Sequence, residues 1–163
     1  MGANGRPVLR KDTMVVLSES STFFLASPFL NQYETCRHIG LTPSKDMGSF
    51  QDHEQIKTVS SLEEMSLELE NILKDRDLET VSMIAALNIP ALLSFVKQCE
   101  TLDISRLQMF ASTKISCGVD GCKSCYLHSR DLPLGISVCC NGPYLPFAKV
   151  DFEEDHRCFH MFD

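Results

Sequence analysis

The residues best placed to do chemistry lie in one stretch of this 163-residue chain: Cys117-Gly-Val-Asp-Gly-Cys122-Lys-Ser-Cys125, and then Cys139-Cys140. The first three cysteines form C-x4-C-x2-C, and thirteen residues separate them from the adjacent pair. Thiolates at that loop spacing, with one more supplied from a distance, can converge on the two irons of a [2Fe–2S] cluster. Such ligation needs a backbone that wraps tightly and turns its N–H groups inward to sulfur. Gly118 and Gly121 permit the wrap, because positive φ and close approach are unstrained only for glycine. Gly142-Pro143 would close the site with a rigid turn. Structural zinc is the competing reading, since it also takes four thiolates and favours C-x2-C or C-x4-C pairs. Zinc sites usually come as two matched knuckles, whereas here three thiolates crowd into nine residues and the fourth stands apart. Cys139 and Cys140 are adjacent and do not both serve as ordinary ligands.

Other reactive side chains have simpler readings. Cys36 and Cys99 lie within apolar stretches and are expected to be buried hydrophobes. His156, Cys158 and His160 alternate in an acidic tail, a weak metal-binding signal. No Ser, His and Asp stand in a spacing that names a catalytic triad.

The elements that must position the cysteines can be read from hydrophobic period. Thr13-Met-Val-Val-Leu17 predicts a buried strand, broken by Ser18 to Ser21, and Cys36 to Pro43 predicts another that ends in the turn-like Pro43 to Gly48. Phe23, Phe24, Leu25, Phe29 and Leu30 make an apolar patch around Pro28 without a clear period. A helix is expected from Ser61 to about Lys74, with Ser61 and Glu64 in capping-box spacing. Its apolar positions Leu62, Met65, Leu69, Ile72 and Leu73 mark one buried face, with Glu63, Glu64, Glu68 and Glu70 in water. Thr80 to Ala85 reads as a further buried strand, Asn88 to about Cys99 as a helix capped by Asn88, and Leu107 to Phe110 as a last strand. This rhythm implies a small parallel α/β sheet. From Cys117 to Pro146 the chain is rich in Cys, Gly and Pro and lacks helical period, so something other than a core is expected to hold it. The organisation expected is a flexible lead-in (1–12), an α/β part (13–112), a Cys-rich module (113–150) and an acidic tail (151–163).

Composition sets the outer limits. Hydrophobic residues at 44% and charged residues at 23%, with a mean hydropathy of −0.05, describe a globular protein with a real core. Lys and Arg number 15 against 22 Asp and Glu, and the net charge of −7 repels phosphate backbones, so no nucleic-acid partner is expected. The longest apolar stretches, 83–87 and 89–96, fall short of the roughly 20 residues a membrane helix needs. Met1-Gly-Ala-Asn-Gly-Arg-Pro7 has no apolar signal-like run, so a cytoplasmic, reducing setting is expected and clustered cysteines point to a metal.

At the cysteines the chain resembles a known family. Ser116 to Cys125, followed by Val138-Cys-Cys-Asn-Gly-Pro143, is similar to the iron–sulfur domain of the dihydroorotate dehydrogenase electron-transfer subunit, which carries C-G-[VI]-G-x-C-x-x-C and then V-C-x-D-G-P. The resemblance implies Cys117, Cys122, Cys125 and Cys139 as the cluster ligands, with Cys140 at the variable position. Upstream, Asp46-Met-Gly-Ser-Phe50 resembles the family's D-D-G-S-[YF], and Met83 to Leu93 occupies the place of the strand and helix around C-G-P-x-P-M-L. The fold implied is α/β: a partial ferredoxin-reductase-like nucleotide domain followed by a small [2Fe–2S] module. The activity implied is electron transfer to or from a flavoprotein partner or catalytic subunit in pyrimidine biosynthesis. Several features depart from the family. No segment resembles its FAD-binding barrel with the R-x-Y-[ST] motif, nor the glycine-rich turn that opens its nucleotide domain. Ala86-Leu87-Asn88 stands where the family has Cys-Gly-Pro beside nicotinamide, so FAD and NAD are not expected to bind this chain alone. Asp120 replaces a Gly, in a position where its charge would lower a cluster's potential, and Asn141 replaces an Asp.

Overall fold

Six consecutive residues, Thr13 to Ser18, are buried, as a strand covered on both faces of a parallel sheet requires. They belong to β1 (Thr13–Glu19), which runs two residues beyond Leu17 because Ser18 and Glu19 still pair with β2 (Cys36–Leu41). A computed structural model describes residues 13–25, 30, 34–42, 54–99, 106–111 and 116–152. The expected lead-in, the Pro43 to Gly48 turn, Asp46 to Phe50, Pro28 with Phe29, and His156, Cys158 and His160 lie outside these residues.

The chain divides into two compact units, with the boundary between Ile104 and Ser105. In the first, β3 (Ile56–Val59), β2, β1 and β4 (Val81–Ala86) lie side by side in that order, and every pairing among them is parallel. Register sets Val16 beside His38 on one side and Ile84 on the other. The strand order reverses direction at β1, as in doubly wound α/β sheets. The expected parallel α/β architecture is therefore present. β3 is not evident in the sequence because it is a sheet-edge strand in which Val59 alone is buried.

Two helices carry the signals read from the sequence. In α1 (Leu62–Leu73) the Ser61 hydroxyl accepts the Glu64 N–H at 3.2 Å, and Met65, Leu69 and Leu73 are buried. The reciprocal half of the capping box is displaced by one residue: the Glu64 carboxylate accepts from the N–H of Ser60 at 2.7 Å and from its hydroxyl at 3.0 Å. Those bonds hold Glu64 below the usual carboxylate range. Glu68 departs from a purely solvated face, being half-buried and paired with Lys57. In α2 (Ile89–Gln98) the Asn88 side chain accepts the Ala91 N–H at 3.0 Å, and Ile89, Leu92 and Phe95 are buried. Cys36 and Cys99 are buried hydrophobes, and burial pushes the Cys36 thiol up to about 11.

The second unit corrects one expectation. β5 (Leu107–Phe110) pairs antiparallel with β8 (Tyr144–Pro146), with Met109 opposite Leu145. Between them in sequence, β6 (Tyr126–Leu127) and β7 (Ile136–Ser137) pair antiparallel as a hairpin with two residues in each strand, and one helical turn, α3 (Val138–Asn141), follows. Leu127, Ile136, Val138, Leu145, Phe147, Val150 and Phe152 are buried, and the Phe147 and Phe152 rings lie 5.0 Å apart. The Cys-rich region thus has a small apolar core of its own. Strands of two or three residues are too short to show a period of two, which hides that core in the sequence.

Candidate metal centre

The cysteine loop is shaped by left-handed residues. Gly118 has φ of 73°, Asp120 of 60° and Lys123 of 55°, and Gly142, beyond the distant pair, has 92°. Asp reaches this region more readily than most residues, and Lys123 reaches it without that advantage. The result is a backbone whose N–H groups point at sulfur. Cys117 Sγ accepts from Val119 at 3.5 Å and from Cys122 at 3.3 Å, and Cys122 Sγ accepts from Ser124 at 3.5 Å.

The distant cysteine is brought to the same loop. Cys139 Sγ accepts the Asp120 N–H at 3.4 Å, and the Cys139 N–H donates to Cys125 Sγ at 3.4 Å. The Val138 N–H adds a bond to the Cys125 carbonyl at 3.1 Å. β7 and α3 deliver Cys139 to this position, and the Asn141 amide ties α3 back to the Ser137 carbonyl at 3.0 Å. Cys125 and Cys139 are buried, whereas Cys117 and Cys122 are exposed. Cys140 is half-buried, with its sulfur 3.8 Å from that of Cys139.

Hydrogen bonding and burial act on these thiols in opposite directions, and burial raises Cys125 despite the N–H it accepts from Cys139. Donation from Val119 and Cys122 draws the Cys117 thiol down to about 7, near the range in which thiolates ligate metals. The facing Cys125 thiol and then the Asp120 N–H lower Cys139, whereas burial raises Cys140. Among the described residues, no group of three or more His, Cys, Asp or Glu side chains stands in position to hold a single metal ion. The donor chemistry nevertheless suits a sulfide-bridged cluster. Four thiols come from two segments joined by N–H···S bonds, on a loop whose backbone already faces sulfur.

Sequence reasoning missed two polar partners here. The Asp120 carboxylate accepts from the Lys123 ammonium at 2.8 Å and from the Ser137 hydroxyl. No periodic signal links Ser137 to a residue seventeen positions earlier. Lys123 lies three residues from Asp120, a visible spacing that carries meaning only once the turn is known.

A doubly wound sheet offers a second place for a ligand, at the carboxyl ends of β1 and β4 where the strand order reverses. Here that crevice is crossed by the chain's own bonds. The Glu19 carboxylate accepts from the Asn88 amide at 2.7 Å and from the Ser21 hydroxyl at 3.2 Å, and the Thr22 hydroxyl bonds the Ala86 carbonyl.

No protein-family model and no curated protein matches the sequence. Among solved structures, the chain is similar to one in an NADH-dependent reduced ferredoxin-NADP oxidoreductase, described for its insights into flavin-based electron bifurcation. The TM-score is 0.67 at 12% identity, over 94% of this chain and 60% of that one. The fold is therefore ferredoxin-reductase-like. This chain spans 60% of the length of the structure it matches.

Proposed function

We propose that this chain is a [2Fe–2S] electron-transfer protein of the dihydroorotate dehydrogenase electron-transfer subunit type, a cytoplasmic one-electron relay to or from a flavoprotein partner. The observation that carries the reading is the set of N–H groups turned toward Cys117, Cys122, Cys125 and Cys139 from within the loop and from α3. A cluster bound there would supply the one-electron chemistry. The chain's own residues do the rest. Cys117, Cys122, Cys125 and Cys139 would hold the group, and the burial of Cys125 and Cys139 would limit its contact with water. The N–H donors stabilise charge on sulfur, one of the ways a protein sets a cluster's potential.

Support for a flavoprotein partner comes from the fold together with the structural neighbour, whose description names flavin-based electron bifurcation. The crevice supports the absence of a nucleotide on this chain alone. Glu19 places a carboxylate at the carboxyl end of β1, the end of the strands at which such sheets bind ligands, and the Asn88 side chain already satisfies an N–H at the start of α2. Among the described residues no helix is long and apolar enough to cross a membrane.

Ligand substitution tests the reading. Cys122→Ser and Cys139→Ser abolish the visible absorption of an anaerobically purified protein, whereas Cys140→Ser retains it. Retention by Cys139→Ser with loss by Cys140→Ser would overturn the ligand set. Absence of visible absorption from the unaltered protein, with zinc bound instead, would favour a zinc-stabilised interaction module.

A further inference from the structure

Asp120 is the only carboxylate within the Cys117 to Cys125 loop, and its backbone touches sulfur through the 3.4 Å bond to Cys139. We propose that Lys123 is a charge-compensating residue that masks Asp120 and thereby sets the reduction potential of the centre held by the four thiolates. The inference rests on the [2Fe–2S] reading and adds to it a residue that ligates nothing.

A negative charge beside a cluster opposes the arriving electron and lowers the potential, and its leverage grows as the distance shrinks. An unpaired Asp120 would act in that way. The structure instead gives its carboxylate an ammonium at 2.8 Å, on a residue held like Asp120 itself in the left-handed region. Ser137 completes the arrangement by joining the same carboxylate to the segment that carries Cys139. Asp120 and Lys123 together add no net charge to the loop, and each alone adds one of opposite sign.

Both side chains keep solvent contact, 42% for Asp120 and 56% for Lys123, so the effect is moderate and weakens with salt. Potentiometric titration of the cluster-loaded full chain at low salt tests it, after iron and sulfide have been measured on each sample. Lys123→Gln lowers the midpoint, shifting the oxidised-to-reduced ratio at fixed potential by up to about tenfold, or about 59 mV for one electron. Asp120→Asn raises it, the double variant returns close to the unaltered protein, and Lys123→Arg keeps the original value. Opposite signs cannot arise from a merely structural role. Shifts of one sign, no shift, or loss of the cluster from both charge-neutral variants while Lys123→Arg retains it would overturn the proposal. Unaltered protein without iron and sulfide would instead contradict the cluster reading on which it rests.

Discussion

His38 is 1% exposed, with Nε2 2.7 Å from the Ser18 hydroxyl, its ring 4.5 Å from that of Phe23, and Nδ1 without a hydrogen-bond partner among the described residues. Burial pulls it down from 6.5 to about 4, so the folded protein keeps it neutral where the unfolded chain would protonate it. Between those values the unfolded state binds more protons, and stability falls as pH falls. The contribution is intact above about pH 6.5 and shrinks by about 3 kcal/mol by pH 4. Urea unfolding from pH 7 to 4 should show this slope, and His38→Leu should flatten it whatever the substitution does at pH 7. Equal slopes in the two proteins would mean that His38 is not the group responsible. At this scale the sequence was informative about the thiols and silent about their partners. Cys117, Cys122 and Cys125 announce themselves by spacing, whereas the bond from Asp120 to Ser137 joins residues related only by folding.

Elements were legible where burial or capping imposes a pattern. β1 and β4 are unbroken buried runs, and both helices begin at the polar residue expected to cap them. β3 was not legible because only one of its four residues is buried, nor was the β6–β7 hairpin, whose strands have two residues each. That hairpin depends on Gly135, which has φ of 61°. A Cβ there would lie 2.3 Å from the Tyr126 ring and 2.4 Å from the Leu127 carbonyl oxygen. Gly135→Ala should therefore destabilise the protein by about 2–3 kcal/mol, through overpacking and strain together. Because β7 leads directly into α3 and Cys139, the same variant should also retain less metal. Thermal unfolding and iron content check the two effects, and an unchanged melting temperature would contradict the geometry. Ser61→Ala should cost about 1 kcal/mol through the loss of one cap and leave metal content alone.

The described residues have a ferredoxin-reductase-like fold, yet the place where such a sheet would hold a dinucleotide is bridged by Glu19, Ser21, Thr22 and Asn88. Titration calorimetry with NADH should accordingly detect no binding to the isolated chain. Micromolar affinity would show that the crevice opens and that the nucleotide half of the fold is functional. The [2Fe–2S] reading is tested by one assay of iron, acid-labile sulfide and zinc on protein purified without oxygen. It predicts about two iron and two sulfide per chain and negligible zinc, as one [2Fe–2S] cluster requires. About one zinc and no sulfide would contradict it, leaving a four-thiolate structural site and no redox role for the loop.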